Sequence, residues 1–224
     1  MLDFSFDIND VIMIALMVCA LLISIIGHEI MHGLVAFYYG DTSAKDAGRL
    51  SINPIKHIDL VGSIILPGIL LATQAPFLFG WAKPVPVNIT QIISRHGYGA
   101  GVGVAIAGVS YNIALALFSS LLLFSGLIDI KNSIFGLFFA SFLVFLIKYN
   151  VILFVFNLFP IPPLDGSRVL AFASLKLGAV GVAKALGKIE PYGLIILMFI
   201  LFVPYLSNIL FFPAKILLEF LLPY

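Results

Sequence analysis

The chain has 224 residues, of which 62% are hydrophobic and only 10% charged, against roughly 25% charged in a soluble domain. So little polar surface cannot coat a globule in water, and the composition reads as an integral membrane protein solvated by the lipid bilayer. A formal net charge of +1 supplies no basic field for nucleic acid, no nucleic-acid-binding motif is visible, and the single cysteine, Cys19, excludes an internal disulfide.

The first apolar run, Val11 to Tyr39, exceeds the about 20 residues that cross about 30 Å of hydrocarbon. Asp3, Asp7 and Asp10 precede it and no Lys or Arg occurs before Lys45. The basic start of a cleavable signal is therefore missing, and this span is expected to stay in the mature protein. Next, "GRLSINP" places Leu50 and Ile52 on one face and reads as a short extended β segment. The run 61–80 is apolar but interrupted by Pro67, Gly68 and Pro76, each unfavourable inside a straight helix. After it, "KPVPVNI" alternates Val85, Val87 and Ile89, with Pro84 and Pro86 limiting it to an edge strand or extended arm. Full spans follow at Tyr98 to Ile128, Ser133 to Phe159 and Tyr192 to Phe212. The stretch between the last two, from Ser167 to Glu190, spaces basic residues along an apolar helix-like pattern and suits the membrane interface.

Basic residues cluster at Lys45, Arg49 and Lys56, at Lys83 and Arg95, and at Arg168, Lys176, Lys184 and Lys188. The positive-inside rule puts all three clusters in the cytoplasm. Residues 61–80 must then enter the membrane and return, as a re-entrant hairpin whose irregular backbone is covered by protein or lines a water-filled cavity. The N-terminus, Lys131 and Lys215 fall outside the cytoplasm. Lys148, inside a core span, must either snorkel to the interface or meet a buried partner. With no repeat or linker in view, residues 1–224 read as one membrane-embedded domain: an all-α polytopic protein with about four full transmembrane helices, the re-entrant hairpin and short β segments near the cytoplasmic face.

The chemistry concentrates in "IIGHEIMHGL", residues 25–34. Positions i and i+4 share a helix face, so His28 and His32 can aim their imidazoles at one point. Glu29 sits close enough to take a proton from a metal-activated water without being a ligand. Left unpaired in hydrocarbon these groups would cost several kcal/mol. A zinc site of this kind needs a third protein ligand and one open position. The candidates are His57, Asp59, His96 and Asp165. The first three lie in polar loops, whereas Asp165 follows a full span and the run "NLFPIPPLDG" at 157–166, where Pro160, Pro162 and Pro163 force the helix to unwind. Asp165 is the best third ligand.

"HEIMH", "AGVSYN" at 107–112 and "NLFPIPPLDG" resemble the three core motifs of the site-2 protease family, zinc metalloproteases that cut substrates within the membrane. "GDTSAKDAGRLSINPIKHIDLVGS" and "FGWAKPVPVN" are similar to its compact prokaryotic branch, which lacks PDZ and CBS domains. Val109 departs from that pattern, where the family usually has Pro after Ala-Gly. The resemblance implies one Zn2+ per chain on His28, His32 and Asp165, Glu29 as general base, and Asn112 and Asn157 lining the site towards substrate or oxyanion. It further implies a multi-pass protein of a prokaryotic plasma membrane, an active site towards the cytoplasmic side, and transmembrane proteins or peptides as substrates for regulated intramembrane proteolysis. An unwound substrate is expected to pair with the extended segments 48–54 and 84–90 by β-addition. A metal or solute transporter could use the same donors at a broken helix, but no internal repeat is visible and a bare ion path has no use for Glu29. The intact set of His28, Glu29, His32 and Asp165 argues against a catalytically silent scaffold.

Overall fold

The computed structural model describes residues 7–74, 80–128 and 133–222. Asp3, Pro76 with the tip of the expected hairpin, and Lys131 lie outside the described residues. Helix α1, Ile8–Tyr38, opens on a reciprocal cap in which Asp7 accepts from the Ile8 amide and Asp10 accepts from the Asp7 amide. At 31 residues it is about 46 Å long, enough to cross hydrocarbon and carry His28 past the midpoint. Gly40, at φ +85°, then turns the chain in a conformation that L side chains avoid.

The short helix α2 (Ser43–Asp46) and a 3-10 turn (Pro54–His57) lead to a π turn at Leu60–Ile65 that continues into α3, Leu66–Ala72. Together Leu60–Ala72 is at most about 20 Å long, short of the about 30 Å needed to cross. The chain after it also returns to its start: the Trp81 amide donates to the Gly62 carbonyl (3.1 Å) and the Lys83 amide to the His57 carbonyl (2.9 Å). Helix α4 (Ile89–His96) meets α5 (Tyr98–Phe124) at Gly97, and α6 spans Ile134–Leu158. Helices α7 (Asp165–Lys176), α8 (Val180–Ile189), α9 (Gly193–Phe202) and α10 (Pro204–Leu221) complete the order.

Two expectations need correction. Among the described residues five helical stretches, not about four, are long and apolar enough to span: α1, α5, α6, Val180–Phe202 and α10. The run Tyr192 to Phe212 is broken because Pro204 lacks an amide proton and disfavours helix at the residue before it, and Val203 is extended. Val180–Phe202, whose first half carries Lys184 and Lys188 and reads as interfacial, contains a stretch long and apolar enough to span. The second correction is the β segments: no strand occurs among the described residues. Lys83 and Val85 each precede a proline, which disfavours helix there, but Pro84 and Pro86 remove every other donor a ladder would need.

Helix α5 is the centre of the bundle. Ala116 packs with Ile147, Val151 and Val155 of α6 and Ala214 and Leu221 of α10, while Ala100 and Val104 pack with Ala36 of α1 and Ile92 of α4. Small side chains let these backbones approach closely without a hydrophobic drive between helices. In α6 only 39% of the most apolar window is buried, so most of its surface must be solvated by lipid. Lys148 is exposed on α6 and lines an open cavity of about 460 Å3 with Lys215 and Glu219 of α10.

Candidate metal centre

His28 and His32 lie one turn apart on α1, and their Nε2 atoms are 3.2 Å apart. Asp165 arrives from the far end of the chain. Helix α6 ends at Leu158, the prolines that follow prevent its continuation, and α7 starts with Asp165 itself. Gly166 allows this reversal, since a Cβ there would collide with the carbonyl oxygens of Leu158 and Phe159. The Asp165 Oδ2 atom lies 3.1 Å from each Nε2. Three donors thus form a nearly equilateral triangle drawn from residues 28, 32 and 165.

The triangle fits a zinc ion. Ligands 2.0–2.1 Å from a tetrahedral centre are about 3.3 Å from one another, close to the 3.1–3.2 Å edges seen here. Two neutral imidazoles and one carboxylate are a known catalytic donor set that leaves a fourth position open. Burial alone would push the Asp165 carboxyl up, but the two imidazoles beside it outweigh burial and hold it well below the usual carboxylate range. It is therefore an anionic donor at neutral pH.

Each imidazole is braced from behind. His32 Nδ1 is 2.8 Å from the Val104 carbonyl, which can only accept, so this nitrogen carries the proton. His28 Nδ1 is 2.6 Å from Asn112 Oδ1. Such outer partners turn the other ring nitrogen, as a bare lone pair, towards a metal. Gly108 of α5 makes room for the pair: a Cβ there would sit 2.5 Å from His28 Cε1 and from His32 Nε2.

Glu29 faces a different element. Its Oε2 accepts a 3.0 Å hydrogen bond from the Val85 amide, in the extended stretch between α3 and α4. That stretch is pinned at both ends, by Arg49 donating to the Lys83 carbonyl and by the Asn88 amide donating to Asp41 (2.6 Å).

The other candidate residues are placed elsewhere. His57 holds the Ser51 carbonyl at 2.7 Å, Asp59 caps the π turn through the Val61 and Gly62 amides, and His96 lies against the Tyr39 ring. Asn157 is half-buried in the last turn of α6, its amide donating to the Leu153 carbonyl. Asn112 departs from expectation: it is fully buried, its oxygen faces His28, and its amide donates to the Ser24 carbonyl and to Asn150. With both polar ends engaged it braces a ligand, and nothing is left to hold an oxyanion. Sequence reasoning missed Gly108, Val104, Val85 and Asn150. The signal for Asn150 was present, a polar side chain in the middle of an apolar span.

Two curated proteins match the chain. "Putative zinc metalloprotease YwhC" of Bacillus subtilis is 38% identical over 201 residues, covering 88% of this chain and 84% of that protein. "Putative zinc metalloprotease Rip2" of Mycolicibacterium smegmatis is 29% identical over 157 residues, covering 69% of this chain and 56% of that protein. No family model matches the chain, and no solved structure matches it significantly.

Proposed function

The chain belongs to the zinc metalloprotease family of YwhC, and from that premise we propose that it is a site-2-type intramembrane protease, hydrolysing peptide bonds in or near transmembrane segments of other membrane proteins. The single observation that carries this reading is the donor triangle of His28, His32 and Asp165, with Glu29 next to it on a helix long and apolar enough to span. Those three side chains would hold one zinc ion per chain. When bound, zinc makes water nucleophilic at neutral pH and polarises a peptide carbonyl.

The rest of the chemistry falls to the chain's own groups. Glu29 accepts the proton of the attacking water and delivers it to the leaving amine nitrogen as the C–N bond breaks. Its Oε2 is engaged by Val85, which leaves Oε1 to face the water. Asn157, at the end of the helix that leads to Asp165, is assigned to the substrate side. The extended stretch 84–88, which ends where α4 begins at Ile89, receives the unwound substrate. In an extended chain successive residues point their backbone groups to opposite edges. Val85 turns its amide to Glu29, so the outer edge at Pro84 and Pro86 offers acceptors only.

Residues 61–80 form a re-entrant hairpin, a reading supported by the short helix Leu60–Ala72 and by the pairing of Gly62 with Trp81. The protein is assigned to a prokaryotic plasma membrane, and the distribution of Lys and Arg supports an orientation with its N-terminus outside and its site towards the cytoplasm. Control of regulated proteolysis then rests on presentation of the substrate helix.

The test is reconstitution in liposomes with zinc and a panel of single-span peptides, read by mass spectrometry. Cuts inside the apolar stretch are expected, and Glu29→Gln should lower their rate by 10²–10⁴-fold, the usual range for a general base, with zinc content unchanged. Equal cleavage by Glu29→Gln would sink the assignment of the base. Zinc flux across the liposomes without cleavage would replace the protease with a transporter.

A further inference from the structure

A chain of buried polar groups runs away from the donor triangle, and its polarity is forced at its far end. The Ser24 hydroxyl donates to the Ala20 carbonyl (2.7 Å), so its oxygen is free to accept. Asn150 meets it there, donating from Nδ2 to Ser24 Oγ (2.7 Å) and to the Leu146 carbonyl (2.8 Å). Both Asn150 amide protons are thereby used, and its Oδ1 points the other way, towards Asn112 Nδ2 at 2.7 Å. Asn112 spends its second amide proton on the Ser24 carbonyl (3.2 Å). Its Oδ1 is then left for His28 Nδ1 at 2.6 Å.

None of these positions can be reversed singly. A flipped Asn150 would set its oxygen against the Leu146 carbonyl and its amide against that of Asn112. A flipped Asn112 would set its oxygen against both the Ser24 carbonyl and Asn150 Oδ1. Ser24, Asn112 and Asn150 are each 0% exposed, so no bulk water can re-pair them, and an unmade bond at such depth costs the full desolvation of the group. Three backbone carbonyls, which can only accept, thus dictate a single arrangement across α1, α5 and α6.

We propose that Asn150, together with Ser24, is a positioning residue for the metal centre: it fixes the amide of Asn112 so that His28 must carry its proton on Nδ1 and presents Nε2 as a bare donor. Without it only the longer contact with the Ser24 carbonyl (3.2 Å) opposes a flip of Asn112, and each flipped molecule offers an N–H to Nδ1 and drives the proton of the neutral imidazole onto Nε2, into the donor triangle. His32 needs no such relay because the Val104 carbonyl faces it directly. The inference rests on the zinc reading of the triangle for its consequence, and on the hydrogen-bond chain alone for the position of the proton.

Two measurements test it. Zinc affinity of the detergent-solubilised protein is measured by chelator competition for wild type, Asn150→Leu, Asn112→Asp and the double variant Asn150→Leu/Asn112→Asp. Asn150→Leu is expected to bind zinc about tenfold more weakly, the lower end of what loss of an outer partner costs. Measured against Asn112→Asp alone, Asn150→Leu should cost far less affinity in that background, because a carboxylate has no amide to orient; an equal loss in both backgrounds means that Asn150 acts by packing and overturns the proposal. A folded Asn150→Leu protein with wild-type affinity would overturn the proposal. Independently, 15N spectra of histidine-labelled wild type, with His28 assigned by loss of its signal in His28→Gln, should show a proton on Nδ1. A bare Nδ1 overturns the proposal, and this reading stands whether or not Asn150→Leu folds. If wild type takes up no zinc, the metal reading fails and the Nδ1 proton still decides the inference.

Discussion

On one side of the donor triangle, His28 and His32 are held by three packed helices through buried carbonyls and amides that each have one possible partner. On the other side, Glu29 is met by a stretch with no regular structure, held by Arg49, the His57 carbonyl and Asp41. The difference follows from what each side must do. Ligands need a fixed tautomer and a fixed distance, which rigid elements provide. Under the proposed function, the substrate strand needs unpaired backbone, which the stretch that meets Glu29 supplies.

Breaking the helical side should have the largest effect. Asp165→Ala removes the anionic corner of the triangle, so zinc content by atomic absorption should fall to background and cleavage with it. Retention of a full equivalent of zinc would mean that another residue is the third ligand. Gly108→Ala is a subtler insult to the same side, since its methyl would press on both imidazoles at 2.5 Å. Overpacking of this kind costs about 1–3 kcal/mol. Melting in detergent should show that loss, together with weaker zinc binding, whereas unchanged melting and affinity would show that α5 can move away freely.

The irregular side should respond more weakly and in a different observable. Burial pushes the Asp41 carboxyl up, but hydrogen bonds from the Ser43 hydroxyl, the Ser43 amide and the Asn88 amide outweigh it and hold it below the usual carboxylate range. A carboxyl lowered on folding contributes its stabilisation in full above the unfolded value, near 3.9, and loses it as the pH falls through the folded value. Hydrogen exchange at Asn88 should therefore be slow at neutral pH and quicken, beyond the intrinsic trend, only in acid below that range. Asp41→Asn should speed it about tenfold at pH 7, the worth of a hydrogen bond to a charged group, and flatten the acid dependence, with zinc content unchanged. A zinc loss in Asp41→Asn would erase the distinction between the two sides.

How much of this could be read in the sequence depends on range. The pairing of His28 with His32 follows from helix periodicity alone, and Asp165 follows from the prolines that unwind the end of α6. The bracing of His28 does not, because Ser24, Asn112 and Asn150 are brought together only when α1, α5 and α6 pack. Asn112 illustrates the gap: its motif marks it as part of the site, yet its direction depends on Asn150, where Lys148 two positions earlier was the more conspicuous anomaly. Pro204 was legible as a helix breaker, but the uninterrupted hydropathy around it hid the break. The short extended segments read as β, yet no strand occurs among the described residues, since pairing is decided by donors that Pro84 and Pro86 lack.

The joining of Gly62 to Trp81 and of His57 to Lys83 has a consequence for how such a chain can vary. Whatever lies between those two contacts is tied off at its neck, so its length and composition are decoupled from the spacing of Glu29 and Val85. The segment is in effect an exchangeable cassette: related chains could lengthen, shorten or rewrite it while the donor triangle and Glu29 stay untouched.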